Sequence, residues 1–221
     1  MKTVYEIKRE WLVWLIREEL LLRNPDAIGD QPGGWRVLAR ETAGYYERGE
    51  EVPEAHRKKA YAARTANNAL YAIYAAWAAA EGDCVYAASE CGYAATANLG
   101  GCSTNDADDA NRYGDVNTHN RMAIALVRIA DIEPLPELDA NILTAIEGGN
   151  TLEMDIFHTC ETTHCRAGFA ITLHPRGREL EEEFGSRLVG GAIYLVSTGT
   201  IPNFFATNED ALASIRKGAG L

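Results

Sequence analysis

The sequence predicts a mainly α protein, an irregular multi-helix fold with few or no strands, on three observations. Apolar residues recur at helical spacing in one segment after another, alanine dominates the middle of the chain, and most glycines and prolines fall between the segments. Strict apolar–polar alternation, the mark of a half-buried strand, is almost lacking. The best strand signals are a short pair near Ile156 or Tyr194 to Thr198.

The first helix is expected over residues 5 to 23, where Trp11, Trp14, Leu15 and Leu22 repeat near the helical turn, and Asn24-Pro25 should end it. After a turn at Gln31-Pro-Gly-Gly34, a second helix is expected from Trp35 to Arg48. Residues 54 to 81 read as strongly helical, with many alanines, a Leu70, Tyr74 and Trp77 stripe, and no interior glycine or proline. Gly82-Asp83 breaks this run, and a further alanine-rich helix from Val85 to Asn98 makes a helical hairpin with a thin seam.

Met122, Ala125, Leu126 and Ile129 trace a helix that the prolines at 134 and 136 close, and Leu138, Ile142 and Ile146 trace another, stopped by Gly148-Gly149. Four short helices are expected beyond, at about 163–173, 177–184, 187–197 and 208–217, the last capped by Thr207 with Asp210. The chain therefore divides into an N-terminal helical region (1–102) with the alanine-rich hairpin, a polar junction (103–120) and a C-terminal multi-helix region (121–221), packed as one compact unit.

Composition narrows the function. With 221 residues, 47% of them apolar, the chain has enough material for a real core. Acidic residues outnumber basic ones 32 to 21, and the net charge of -11 disfavours a general nucleic-acid binder. One basic cluster, His56-Arg57-Lys58-Lys59 with Tyr61 and Arg64, could touch phosphates but also suits the solvated start of a helix. The first residues lack the pattern of a secretion signal, and charges at Arg17, Glu18 and Glu19 interrupt the apolar patch before the roughly 18 residues of a membrane span. Five cysteines, an odd number, fit reduced thiols in a cytoplasmic protein.

The segment from His158 to Phe169 concentrates the chemistry, since His158, Cys160, His164 and Cys165 fall within eight residues. Three readings compete for it. Zinc accepts thiolate and imidazole, so Cys160, His164 and Cys165 are candidate metal ligands, although their spacing is not that of a finger or ribbon. A nucleophilic Cys165 is the second reading: a cap at Thr162 or Thr163 would put it in a first helical turn, where backbone amides favour thiolate, with His158 or His119 as base. The third is core packing, with Cys165, Phe169 and Leu173 on one buried face, Gly168 at a close helix contact, and Arg166 facing solvent or an acidic neighbour.

Candidate ligand-binding residues are His158, Cys160, His164 and Arg166 in this segment, and Asp106, Asp109 and Asn117 in the polar junction, where carboxylates also suit a hard cation. Core packing fits the helical face best, so a protein without a cofactor is favoured over one holding zinc. Nucleotide-binding glycine loops, hydrolase elbows and HExxH helices have no match in the sequence.

Two phrases, His158-Thr-Cys160-Glu-Thr-Thr-His164-Cys165-Arg-Ala-Gly168-Phe169 and Phe204-Phe-Ala-Thr-Asn208-Glu-Asp-Ala-Leu-Ala213-Ser-Ile-Arg216, carry a resemblance. The chain resembles a group of uncharacterised proteins of bacteria and their phages that bear HTC-x-TTHCRAGW and FYATNEDALADIR, with Phe169 here in place of tryptophan. The resemblance covers residues 136 to 216 well and the remainder of the chain loosely. It implies a bacterial or phage accessory protein that binds a host or bacterial protein, or a small ligand. The cleft is expected between the two regions, beside the junction.

Overall fold

The computed structural model describes residues 1–22, 34–66, 71–97, 116–155, 158–160 and 162–221; for 64–66, 71–74, 91–97, 116–117 and 158–160 the description is limited to the backbone. The fold is mainly α, with three very short strands. The chain separates into two compact units, 1–125 and 126–221, a division that falls inside a helix rather than in the expected junction.

In the first unit, helix α1 (Val4–Trp14) begins with a reciprocal cap: the Thr3 hydroxyl accepts from the Glu6 amide, and the Glu6 carboxylate accepts from the Thr3 amide at 2.8 Å. The same rod continues as a π-helix at Leu15–Leu22, a wider winding that sequence periodicity cannot distinguish from α. Trp11, Leu12, Leu15 and Ile16 are fully buried, whereas Leu22, which the apolar stripe placed inside, is 63% exposed. Helix α2 (Trp35–Arg48) has the expected bounds and ends where Gly49 turns left-handed at φ 77°.

The predicted long helix appears as α3 (Glu54–Ala66) and α4 (Tyr71–Glu81), with residues 67–70 outside the description. Helix α5 (Cys84–Ala97) packs against α4, and Ala75, Ala76, Ala78, Ala79, Ala87 and Ala88 are buried. Methyl side chains let helix backbones approach closely, which is the thin seam expected of this hairpin. Tyr46 of α2 ties into it by donating its hydroxyl proton to the Ala79 carbonyl at 2.7 Å.

Helix α6 (Val116–Ala130) starts six residues before its first expected apolar position, so residues 116–120 of the supposed junction are helical. Helix α7 (Leu138–Glu147) follows as expected. Strands β1 (Thr151–Leu152), β2 (His158–Cys160) and β3 (Thr163–His164) then form a sheet of order β1-β3-β2, with β3 parallel to β1 and antiparallel to β2. Strands of two or three residues are too short to display alternation; of the two strand candidates, Ile156 lies outside the described residues and Tyr194 to Thr198 is helical.

Helices α8 (Arg166–Leu173), α9 (Gly177–Phe184), α10 (Ser186–Thr198) and α11 (Asn208–Gly218) complete the second unit. The close helix contact in this unit is made at Gly190, where an added Cβ would lie 2.6 Å from that of Ala167, so α10 rests directly on α8. Phe169, Ile171, Leu180, Phe184, Val189 and Ile193 form the core around that contact. Thr207 caps α11, accepting from the Asp210 amide at 3.2 Å.

Candidate functional site

The second unit places the His/Cys segment differently from the cap expected at Thr162 or Thr163. Because Thr163 and His164 pair with two strands, the helix cannot begin until Arg166, and Cys165 itself becomes the N-cap. Its sulfur accepts from the Gly168 amide at 3.4 Å, and the residue is only 2% exposed. Burial pushes its thiol pKa up despite the helix amides, opposite to what a nucleophile at neutral pH needs. Among the described residues no histidine hydrogen-bonds this sulfur.

Phe169 is buried with Cys165, but Leu173 is 37% exposed, so the predicted apolar face is shorter than three turns. His164 is fully buried and meets the Phe169 ring edge-on at 5.0 Å. His158 pairs with His164, and Cys160 with Thr163, through the backbone ladder. The zinc expectation is corrected here: among the described residues, no three His, Cys, Asp or Glu side chains gather to hold a metal ion, and the side chain of Cys160 lies outside the described residues. His119 is half-buried on α6 in the first unit; Asp106 and Asp109, with the side chain of Asn117, lie outside the described residues.

Arg166, the next residue, is where the chemistry collects. Expected at the surface or beside an acid, it is buried against one. Its Nε donates to the Tyr194 hydroxyl at 2.8 Å, Nη1 to the Ser214 hydroxyl at 2.9 Å and Nη2 to Asp139 Oδ1 at 2.9 Å. The Tyr194 hydroxyl passes its own proton to the same Asp139 oxygen at 3.0 Å, and the guanidinium lies 4.8 Å from the Tyr194 ring centre. Burial holds the Tyr194 phenol well above its ordinary range, so it remains a donor.

These groups come from four helices: Asp139 opens α7, Arg166 opens α8, Tyr194 lies in α10 and Ser214 in α11. Gly218 makes room for the acid, since a Cβ there would lie 2.0 Å from Asp139 Oδ2. The network borders a cavity of about 760 Å³, with Glu137, Thr200 and Lys217 at other points of its wall. That volume is in the range of small-molecule sites. A guanidinium has five N–H donors and this one spends three on protein partners, leaving two.

Sequence reasoning named Arg166 but missed Asp139, Tyr194 and Ser214. The available signal was an acid in the first turn of an apolar helix and a tyrosine within Gly190-Gly-Ala-Ile-Tyr194, two polar groups in otherwise buried runs. The two phrases that carried the resemblance also meet here: Arg166 from the first bonds Ser214 from the second. Asn208 of the second phrase accepts from the Met154 amide at 2.7 Å, fixing the start of α11 to the chain leaving β1. Among the described residues, no helix is long and apolar enough to cross a membrane. No protein-family model, curated protein or solved structure matches this chain.

Proposed function

We propose that the second unit is a small-ligand-binding module of a bacterial or phage accessory protein, and that its ligand sits in the cavity beside Arg166. The observation that carries this reading is a buried arginine with two donors left over, on the wall of a cavity large enough for a small molecule. Desolvated donors bind strongly because water does not compete for them. Arg166 is balanced by Asp139, and Glu137 by Lys217, so the wall carries no large excess of either sign. A compact neutral or zwitterionic ligand, placing a carbonyl, hydroxyl or carboxylate oxygen on Arg166, suits that balance better than a polyanion.

This reading moves the site from the expected inter-region cleft into a single unit. It also leaves Cys165 as a cap and packing group rather than a nucleophile. The test is a thermal-shift screen of the full chain with free amino acids, monosaccharides and nucleosides, repeated on Thr200→Trp. Thr200 is exposed and lines the cavity outside the arginine network, so the indole should occupy the cavity while leaving the network intact. The expected result is a stabilising compound whose shift disappears in Thr200→Trp; equal shifts in the two proteins would place binding elsewhere.

A further inference from the structure

The first unit contains an unrelated cavity of about 540 Å³, between the C-terminal half of α2 and the start of α3. Its wall carries three cations, Arg40, Arg48 and Lys59, in a chain of net charge -11. Arg40 and Lys59 are exposed and have no ion-pair partner among the described residues. Arg48 gives Nε and Nη2 to Glu50, at 2.9 and 2.7 Å, and lies 5.0 Å from the Tyr45 ring centre. Its Nη1 lies over Gly44, where an added Cβ would come within 3.1 Å, so the missing side chain gives that donor its place in the wall.

One acid, Glu41, stands on the wall itself, so the cavity carries three cations against one carboxylate. Glu50 holds the far side of Arg48, and Glu41 Oε2 is 3.3 Å from His56 Nδ1. His56 is itself fixed by two neighbours. Thr42 donates its hydroxyl proton to the Leu38 carbonyl at 2.8 Å, so at the 2.9 Å contact the Thr42 oxygen accepts from His56 Nε2. The Tyr45 ring meets the imidazole edge-on at 5.5 Å. A hydrogen-bonded floor of Thr42 and His56 therefore lies in a wall that also carries Arg40 and Lys59, which have no ion-pair partner among the described residues, and Arg48 Nη1 over Gly44.

We infer that this cavity is a second binding site, specific for a small phosphorylated ligand whose phosphate oxygens are held by Arg40, Arg48 Nη1 and Lys59. Arginine forks and a lysine ammonium suit the spread charge of phosphate, which supplies several acceptors at once. A concave site in a strongly acidic chain selects a small anion over a nucleic acid, whose extended charge would meet the remaining acidic surface. The inference is independent of the ligand assigned to the second unit.

Isothermal titration of the full chain at low salt with sodium pyrophosphate as the probe tests it. Pyrophosphate should bind, binding should weaken as salt rises, and Arg40→Ala or Lys59→Ala should each reduce affinity about tenfold, the loss of one charge-assisted hydrogen bond. Both residues are exposed, so the variants should keep the wild-type circular dichroism spectrum. Lys58→Ala is the control, because Lys58 pairs with Glu54 on the same helix and does not line the cavity. Absence of binding, or an equal loss in Lys58→Ala, would overturn the site. A single-stranded oligonucleotide that binds more tightly than pyrophosphate through the same residues would overturn the ligand class.

Discussion

Cys165 and Arg166 are neighbours in sequence with opposite fates, and the hydrogen bond each makes explains why. The Cys165 sulfur turns toward its own helix and accepts a backbone amide, while the Arg166 guanidinium reaches three other helices. The raised thiol pKa and the 2% exposure lead to a direct expectation. A thiol reagent near neutral pH should leave Cys165 unmodified in the folded protein and label it at the unfolding rate, read by mass spectrometry of the peptide containing it. Rapid labelling under native conditions would return Cys165 to the list of nucleophiles. The sequence placed the cysteine on a buried face correctly. It misjudged the cap, because the pairing of Thr163 and His164 with two strands is a tertiary fact that a single segment does not reveal.

At the scale of elements, the Arg166–Asp139 pair joins the starts of α7 and α8, and Tyr194 and Ser214 bring in α10 and α11. Removing one member of a buried ion pair strands the other charge, a cost of about 3–5 kcal/mol. Asp139→Ala is expected to destabilise by about that amount in urea unfolding followed by circular dichroism. The double variant Asp139→Leu/Arg166→Met should recover much of the loss, since it strands no charge; equal losses in the two variants would mean that the pair's packing, not its charge, matters. Helix bounds were legible wherever glycine or proline marks them: Gly49 ends α2, the prolines follow α6, and Gly148 ends α7. The network was not, because Asp139 and Tyr194 lie 27 and 28 residues from Arg166, far beyond any helical repeat.

For the molecule as a whole, all four tryptophans fall in the first unit, so their fluorescence reports that unit and circular dichroism is needed to follow the second. In the second unit, His174 is buried at the end of α8, and its Nδ1 accepts from the Arg176 amide at 3.2 Å. Burial lowers its pKa from the ordinary 6.5, so the native state keeps it neutral. Its contribution to stability is fully present above pH 6.5. That contribution falls with pH below this value, where the unfolded chain takes up the proton first. His174→Asn, which keeps an acceptor for the amide, should flatten this part of the pH dependence of urea unfolding; an unchanged slope would assign it to other groups.

The two cavities, one in each unit, make the location of ligand contacts the decisive question. The most direct measurement is a nitrogen-15 NMR titration of the full chain with the compound that stabilises it most in the amino acid, sugar and nucleoside screen. Binding in the second unit predicts that the Arg166 Nε–H signal and the amides of Leu138, Ala140 and Gly218 shift first and saturate together. Shifts confined to residues 40–59, with Arg166 unmoved, would contradict it.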